Sequence, residues 1–347
     1  GPQWTPPLHA LFTATSAVSL TGLIVQDTGT YWTSFGQVVI ITLIQLGGLG
    51  IMSLASLSGM LLTGRISLKA RRSTAAEGRP VDGGIRRTLR FTFLATFVCE
   101  AVVAIVVGMR LHLEHGVSGP RAVWEGIFHA ISAFNNAGFS TYSDNMIGFS
   151  TDAWILLPLA FALITGGLGY PMLAEIARRI RGRVRLSVRG DAPRVHHMSI
   201  TARMTFVATA MLLLGGMAFF LVAEWNGVLK DMSLGTKLLN GFFMSASPRT
   251  AGFNAIDYAD AHTITLMFSD ILMFIGGGSA GTAGGVKVTT ACVLAAGMAA
   301  EFLGREDTTI GKRRLPHAVT RQALALTIAG VGVVMFGVAS LVVLNPQ

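Results

Sequence analysis

The sequence is poor in charged residues and in cysteine. Charged residues make up 13% of its 347 residues, whereas a soluble globular domain carries about 25%. This low share excludes an ordinary soluble domain. The two cysteines, Cys99 and Cys292, lie in apolar stretches. Neither a disulfide framework nor a Cys-x-x-Cys metal site is therefore available.

Patterns typical of enzymes are also missing. The 8 histidines show no metal-ligand spacing, and no Ser/His/Asp or Cys/His arrangement points to a nucleophile. Residues 276–281 match Gly-x-Gly-x-x-Gly, but no strand or βαβ unit precedes them, so we reject a dinucleotide site. No block of basic residues alternates with aromatics, which disfavours a nucleic-acid partner. We predict that the chain is not an enzyme and holds no organic cofactor.

The sequence is rich in long apolar stretches. Hydrophobic residues make up 51% of the chain, and it contains 41 glycines, which transmembrane helices tolerate better than soluble ones do. We predict six membrane spans, at residues 31–62, 91–111, 154–176, 205–225, 264–302 and 323–344. Three further apolar stretches, residues 4–20, 123–134 and 236–246, are shorter than the roughly 20 residues that cross a bilayer. These predict half-membrane helices.

Each short helix leads into the same motif, in which a Ser-Ala pair precedes a glycine followed by Leu or Phe. The copies occupy residues 16–23, 132–139 and 245–253, and the third is one residue longer. Their glycines, Gly22, Gly138 and Gly252, are 116 and 114 residues apart. A period of this length indicates a repeated structural unit.

The placement of positive charge predicts the orientation of these units. Of the 27 Lys and Arg residues, 21 lie in residues 64–90, 178–203 and 304–321. The positive-inside rule assigns these three segments to the cytoplasm and the motifs to the outer side. Two spans separate successive motifs, so the copies point the same way, as parallel repeats do. The predicted units are residues 1–63, 91–177, 204–303 and the partial unit 322–347.

The motifs suit the binding of a bare cation. Extended backbone within a membrane is tolerated only where protein buries it or where it lines a wet cavity. Glycine adopts positive φ without a side-chain clash, which allows successive carbonyls to replace the hydration shell of an ion. No acidic side chain lies within the motifs, which favours a monovalent cation. The candidate filter residues are Leu20, Thr21, Gly22, Leu23, Asn135, Asn136, Ala137, Gly138, Phe139, Thr250, Ala251, Gly252 and Phe253. The alternative is three glycine-rich outer turns, which the threefold repetition disfavours.

These motifs, together with residues 45–50 and the glycine-rich residues 276–287, resemble the Trk/Ktr/HKT superfamily of potassium transporters. The resemblance is closest to the bacterial Ktr/Trk membrane subunits. It implies an all-α membrane protein of the cell membrane, in which four units of span, pore helix, filter loop and span surround one central pore selective for K⁺. It also implies a homodimer docked on a cytosolic nucleotide-binding ring subunit. The family has four filters and eight core spans, whereas we find three and six, so we expect this chain to be incomplete.

The resemblance further implies that the glycine-rich loop is an intramembrane gate below the filter. The candidate gate residues are Gly276, Gly277, Gly278, Ser279, Ala280, Gly281, Thr282, Ala283, Gly284, Gly285 and Lys287. We expect the loop to gain little from helix formation or packing, because it has no bulky side chain. Lys287 competes with permeating ions in this interpretation; the alternative is a lysine that snorkels toward the cytoplasm.

Two intramembrane acids, Glu100 and Asp270, suggest an ion path or a buried pair, and for Glu100 an interhelical hydrogen bond is favoured. Alternative functions are sodium or mixed monovalent cation transport, and sodium-coupled potassium symport. A membrane-embedded enzyme or an ATP-driven pump subunit would need a nucleotide motif or an intramembrane catalytic group, which the sequence does not offer.

Overall fold

The computed structural model describes residues 4–65, 81–189, 198–279, 281–305, 307–310 and 313–344. This part of the chain is almost entirely helical. Its α-helices are α1 (Pro7–Ser19), α2 (Ser34–Arg65), α3 (Val81–Leu113), α4 (Gly119–Phe134), α5 (Ala153–Leu168), α6 (Tyr170–Arg189), α7 (Ile200–Glu224), α8 (Leu234–Ala246), α9 (Thr263–Phe274), α10 (Val288–Phe302) and α11 (His317–Leu344). Two 3₁₀ turns, Ile147–Phe149 and Tyr258–Asp260, and one antiparallel pair of two-residue strands, β1 (Thr309–Ile310) and β2 (Arg313–Arg314), complete it.

Three short helices, α1, α4 and α8, each end where a glycine motif begins. They contain 13, 16 and 13 residues, and at about 1.5 Å per residue each is shorter than the roughly 30 Å hydrocarbon layer. Proline in the first turn starts α1 and α4, where a missing N–H costs nothing. The Ser233 hydroxyl caps α8 by accepting from the Thr236 N–H at 3.3 Å. Short helices thus lie at the three places where the sequence predicts half-membrane helices.

Among the described residues, three helices are long and apolar enough to cross a membrane: Arg90–Leu113, Ile200–Glu224 and His317–Leu344. A fourth span results if Ala153–Leu168 and Pro171–Ile180 are counted together, but these meet at a bend of 109°. The prediction of a continuous span at residues 154–176 is therefore wrong. The break lies at Gly169, whose φ of 82° is a conformation that glycine adopts without strain.

Several helices reach into the segments predicted as cytoplasmic loops. Helix α2 continues to Arg65, α3 begins at Val81, α6 continues to Arg189 and α11 begins at His317. Residues 66–80 and 190–197 of these segments lie outside the described part of the chain. The basic segments are thus helical at their ends, which carries positive charge along the helices beyond their apolar lengths.

The main apolar core surrounds α4. Its Phe134 is fully buried and packs with residues of α3 and α5, among them Val103 and Leu159. Small residues allow α3 and α4 to approach closely: a Cβ placed on Gly126 would lie 2.5 Å from the carbonyl oxygen of Ala104. Close backbone approach through glycine is typical of membrane helices. Helix α4, and with it the second motif, is thereby fixed at the centre of the described fold.

A polar corner ties the start of α5 to the end of α3. The Asp152 carboxylate accepts from the Trp154 N–H at 2.9 Å and caps α5. It also accepts from Arg110 Nε at 2.8 Å and contacts His115 Nε2 at 2.9 Å. Burial alone would raise the pKa of Asp152, but the hydrogen bonds from His115 and Arg110 outweigh it and hold this pKa below its ordinary value.

Candidate filter and intramembrane loop

The three glycine motifs share one backbone conformation, in which a left-handed residue is followed, two positions later, by a left-handed glycine. The φ values are 59° and 75° for Leu20 and Gly22, 55° and 73° for Asn136 and Gly138, and 80° and 79° for Thr250 and Gly252. The sequence predicts positive φ at the glycines. It gives no sign of it at the earlier residues, since only Asn is common there and a β-branched residue such as Thr250 is an outlier.

The motifs lie directly against one another. A Cβ added to Gly22 would lie 2.5 Å from the carbonyl oxygen of Ala137, and one added to Gly138 would lie 2.3 Å from that of Ala251. A Cβ on Gly252 would meet only the Cα of Gly138, at 3.7 Å. The second motif is therefore in contact with both others, and glycine permits the contact at Gly22 and Gly138.

The peptide carbonyls of the motifs are available as ligands. Among the described residues, no hydrogen bond ends on the carbonyl oxygens of Thr21, Ala137 or Ala251, or on those of the three glycines. The motifs also follow the C-termini of α1, α4 and α8, where the helix dipole places partial negative charge. Free carbonyls and converging negative helix ends together favour a cation.

Serine hydroxyls hold the chain just beyond two of the glycines. The Ser132 hydroxyl donates to the carbonyl oxygen of Phe139 at 2.8 Å, and Ser247 donates to that of Phe253. The repeat alignment pairs Ser132 with Ser245, but Ser245 donates to the Leu213 carbonyl oxygen of α7 at 2.7 Å. In the third motif the supporting serine is therefore Ser247, two positions after the serine that the alignment pairs with Ser132, and the alignment does not reveal it.

The residue after each glycine differs in burial. Phe139 and Phe253 are each 1% exposed, whereas Leu23 is 63% exposed. The two phenylalanines anchor their motifs in apolar surroundings, and Leu23 does not. The candidate filter residues therefore share their backbone conformation more closely than their side-chain packing.

Polar side chains from three helices meet beside the second motif. Asn135 Nδ2 donates to Glu100 Oε1 at 3.2 Å and to Gln45 Oε1 at 3.1 Å, and Gln45 Nε2 donates to Glu100 Oε2 at 3.3 Å. A Cβ on Gly48 would lie 1.8 Å from Asn135 Oδ1, so Gly48 leaves room for this amide. The predicted interhelical hydrogen bond of Glu100 is confirmed. Asp270, by contrast, is exposed on α9.

The glycine-rich loop begins after Phe274 and ends before Val288, and thus includes all the candidate gate residues. Two hydrogen bonds close its base. The Gly276 N–H donates to the Val286 carbonyl oxygen at 3.0 Å, and the Val286 N–H donates to the Phe274 carbonyl oxygen at 2.9 Å. Ala280 lies outside the described residues. The loop thus connects two short helices, and its two ends are hydrogen-bonded to each other.

The loop packs backbone against backbone on the end of α5. Cβ atoms placed on Gly277 and Gly281 would lie 2.3 and 2.5 Å from the Gly167 carbonyl oxygen. The Gly278 N–H donates to the same oxygen at 2.8 Å. The expectation that this loop gains little from packing is therefore wrong, because the absence of side chains lets two backbones touch.

The loop also contacts the second and third motifs. Asn136 Nδ2 donates to Thr282 Oγ1 at 2.8 Å, and the Gly284 N–H donates to Thr250 Oγ1 at 3.1 Å. Asn136 and Thr250 are the residues of positive φ that precede the glycine in their motifs. The structure thereby brings together the candidate filter and the candidate gate, through contacts between residues 146 and 34 positions apart in the sequence.

Two basic side chains reach the loop. Arg249, which is 7% exposed, donates from Nη2 to the Gly276 carbonyl oxygen at 3.4 Å. Lys287 Nζ donates to the Ala283 carbonyl oxygen at 2.6 Å. The Lys287 ammonium is thus held by the loop itself in this structure. Arg249 lies within the third motif but is not among the filter and gate residues predicted from the sequence.

Comparison with known proteins extends this description. The family model for TrkH, a cation transport protein, matches residues 2–346. The chain is 36% identical to the Ktr system potassium uptake protein B of Bacillus subtilis over 97% of its own length and 73% of that protein. It is 33% identical to the potassium/sodium uptake protein NtpJ of Enterococcus hirae, over 92% of its own length and 68% of that protein.

A solved structure has the same fold. The crystal structure of the potassium transporter TrkH from Vibrio parahaemolyticus matches 98% of this chain with a TM-score of 0.75 at 20% sequence identity, and the match covers 66% of that longer chain. The resemblance stated from the motifs is confirmed, and the matched family consists of transport proteins, not enzymes. The chain belongs to the TrkH family of cation transport proteins.

Proposed function

We propose that this protein carries potassium ions into the cell through a filter of backbone carbonyls to which its three glycine motifs contribute. The observation that carries the proposal is the threefold left-handed pattern ending at Gly22, Gly138 and Gly252. Its unpaired carbonyls and mutual contacts are what the replacement of a hydration shell requires. The filter faces the outer side of the cell membrane, and the transported K⁺ is its only ligand.

The kind of transport carried out by the relatives supports potassium as the transported ion. One relative is a potassium uptake protein and another a potassium/sodium uptake protein. The second name gives sodium or mixed cation transport, and sodium-coupled potassium symport, as the alternative. Glycine at all three motif positions favours potassium, because all three units then present the same carbonyl geometry.

The glycine-rich loop is the gate in this proposal. It is contacted by Asn136 and Thr250 of the candidate filter, and Lys287 donates to the Ala283 carbonyl oxygen within it. An ion that leaves the filter inward has to pass this segment. Gate opening then requires that the loop give up its bonds to the end of α5.

We also propose a homodimer that binds a cytosolic nucleotide-binding ring subunit. The support is the family membership and the positive charge of the segments around residues 64–90, 178–203 and 304–321, which is the charge expected of cytoplasmic surfaces. Membrane lipid covers the exposed apolar helices, and nucleic acid is not a partner.

The test is ion uptake by the full-length protein in cells that lack their own potassium uptake. We expect saturable uptake of K⁺ at low external concentration that continues without Na⁺, with Na⁺ a poor substitute. Uptake that requires Na⁺ would favour symport. Equal uptake of both ions would favour the mixed-cation alternative and contradict a potassium-selective filter.

A further inference from the structure

The left-handed residues that precede the motif glycines are held in different ways. Leu20 closes α1, and its N–H donates to the Ala17 carbonyl oxygen at 3.3 Å. The Asn136 and Thr250 N–H groups also donate to nearby carbonyl oxygens, those of Ala133 at 3.0 Å and Pro248 at 2.6 Å, but these two residues are in addition bonded to the glycine-rich loop. A non-glycine residue with positive φ persists where its surroundings over-determine it. In two of the three motifs, those surroundings include the loop.

Thr282 is the loop residue most deeply involved. Its side chain is buried, with 3% of the residue exposed. The hydroxyl accepts from Asn136 Nδ2 at 2.8 Å and donates to the Phe134 carbonyl oxygen at 3.1 Å. Its N–H donates to the Gly166 carbonyl oxygen at 3.2 Å. One threonine thus joins the loop to the end of α4, to α5 and to the second motif.

The neighbouring chain is shaped around this hydroxyl. A Cβ on Gly166 would lie 1.8 Å from the Phe134 carbonyl oxygen and 3.0 Å from Thr282 Oγ1. Asn136 Nδ2 has further acceptors in the Phe134 and Leu163 carbonyl oxygens, at 3.3 and 3.2 Å, but its bond to Thr282 is the shortest. The Asn136 side chain is therefore directed by the loop, two residues before Gly138.

We propose that Thr282 is a positioning residue for potassium selectivity: its hydroxyl fixes the left-handed conformation of Asn136 and with it the carbonyl of Ala137. The inference rests on the proposed function and adds to it. Selectivity is then not a property of the motifs alone but depends on the position of the loop.

The experiment compares Thr282→Val, which keeps the shape and removes the hydroxyl, with Thr282→Ser, which keeps the hydroxyl. The matched control is Thr165→Val on α5, whose hydroxyl donates only to the Phe161 carbonyl oxygen of its own helix, at 2.6 Å. The full-length variants are assayed for the KM of K⁺ uptake, the inhibition constant of Na⁺ and the maximal rate, each normalised to the amount of protein in the membrane.

Thr282→Val is expected to lower the preference for K⁺ over Na⁺ about fivefold, the factor corresponding to one hydrogen bond of ordinary net strength. Thr282→Ser and Thr165→Val are expected to keep the wild-type preference. A Thr282→Val protein that transports K⁺ with unchanged preference overturns the proposal, as does a Thr282→Ser protein that shows the full loss. Lack of potassium preference in the wild type would instead contradict the proposed function.

If Thr282→Val does not reach the membrane, the decision passes to Thr250→Val and Thr250→Ser, which remove and keep the acceptor of the Gly284 N–H. The same pattern is expected: loss of preference with valine and retention with serine. Unchanged preference in Thr250→Val overturns the dependence of the filter on the loop.

Discussion

At the three motif glycines, the structure gives different physical reasons for the missing side chain. All three have positive φ, but only Gly22 and Gly138 also face the carbonyl oxygen of a neighbouring motif. A Cβ added to Gly252 would lie 3.7 Å from the Cα of Gly138, which is an ordinary contact distance. Backbone strain therefore acts at all three positions, and steric overlap with a candidate ion ligand acts at two.

We predict that Gly138→Ser is more damaging than Gly252→Ser. The added Cβ at position 138 would displace the Ala251 carbonyl, so the K⁺ preference should fall by about tenfold or more, since backbone strain costs about 1–3 kcal/mol. Gly252→Ser should show a smaller loss. The measurement is the ratio of K⁺ to Na⁺ uptake, and Gly215→Ser on α7, where nothing lies within 4 Å, serves as the control. Equal effects of the two motif variants would refute this ranking.

A second prediction concerns Asp152 and pH. Because the pKa of Asp152 is lowered in the folded protein, its contribution to stability is present above the unfolded value of about 4 and is lost as the pH falls through the folded value. Asp152→Asn keeps a helix cap but removes the charge. We expect it to destabilise the protein by about 1–3 kcal/mol at pH 7 and by clearly less near pH 3.

Thermal unfolding in detergent at the two pH values checks this prediction. The exposed Asp231, changed to Asn, is the control and should have little effect at either pH. An equal loss of stability for Asp152→Asn at both pH values would show that the charge of Asp152 contributes nothing beyond its size and shape.

At the scale of elements, the proposed gate between α9 and α10 lies in contact with the candidate filter. It is packed on the carbonyls of Gly167 and Leu168 and bonded to Asn136 and Thr250. A loop whose side chains are absent or small can pack closely, because its backbone reaches the neighbouring carbonyls directly. In the proposed function, these backbone contacts and the bonds to Asn136 and Thr250 hold the gate closed.

We predict that deletion of residues 277–284 raises K⁺ flux, makes it less dependent on the cytosolic partner and lowers the preference for K⁺. Removal of the loop takes away both the obstruction and the bonds that brace the second and third motifs. Uptake is measured with and without the partner, at matched amounts of protein in the membrane. Wild-type rates with wild-type partner dependence would show that the loop is not the gate.

The helices of this fold can be predicted from the sequence more readily than the contacts between them. The short helices and the break between Phe274 and Val288 follow from apolar length and glycine content. The bend at Gly169 did not, because an apolar run with internal glycines is equally compatible with a straight span. The bonds of Thr282 to Asn136 and Phe134 depend on how helices more than 140 residues apart pack, which no local pattern encodes.

At the scale of the whole molecule, motifs that repeat along the sequence lie next to one another in space. Motifs 116 and 114 residues apart share one backbone conformation, and the second touches the first and the third. The TrkH family model spans residues 2–346, so the motifs lie within one family unit. The proposed ion path runs from these motifs to the loop beneath them.

The central claim is that the motif carbonyls bind the ion. The most direct measurement is the anomalous diffraction of Rb⁺ or Tl⁺ in crystals of the full-length protein, with Na⁺-only crystals as the control. We predict a peak enclosed by the carbonyl oxygens of Thr21, Ala137 and Ala251, and its loss in Gly138→Ser. A protein that takes up K⁺ but shows its peak away from these carbonyls, or an undiminished peak in Gly138→Ser, would contradict the account.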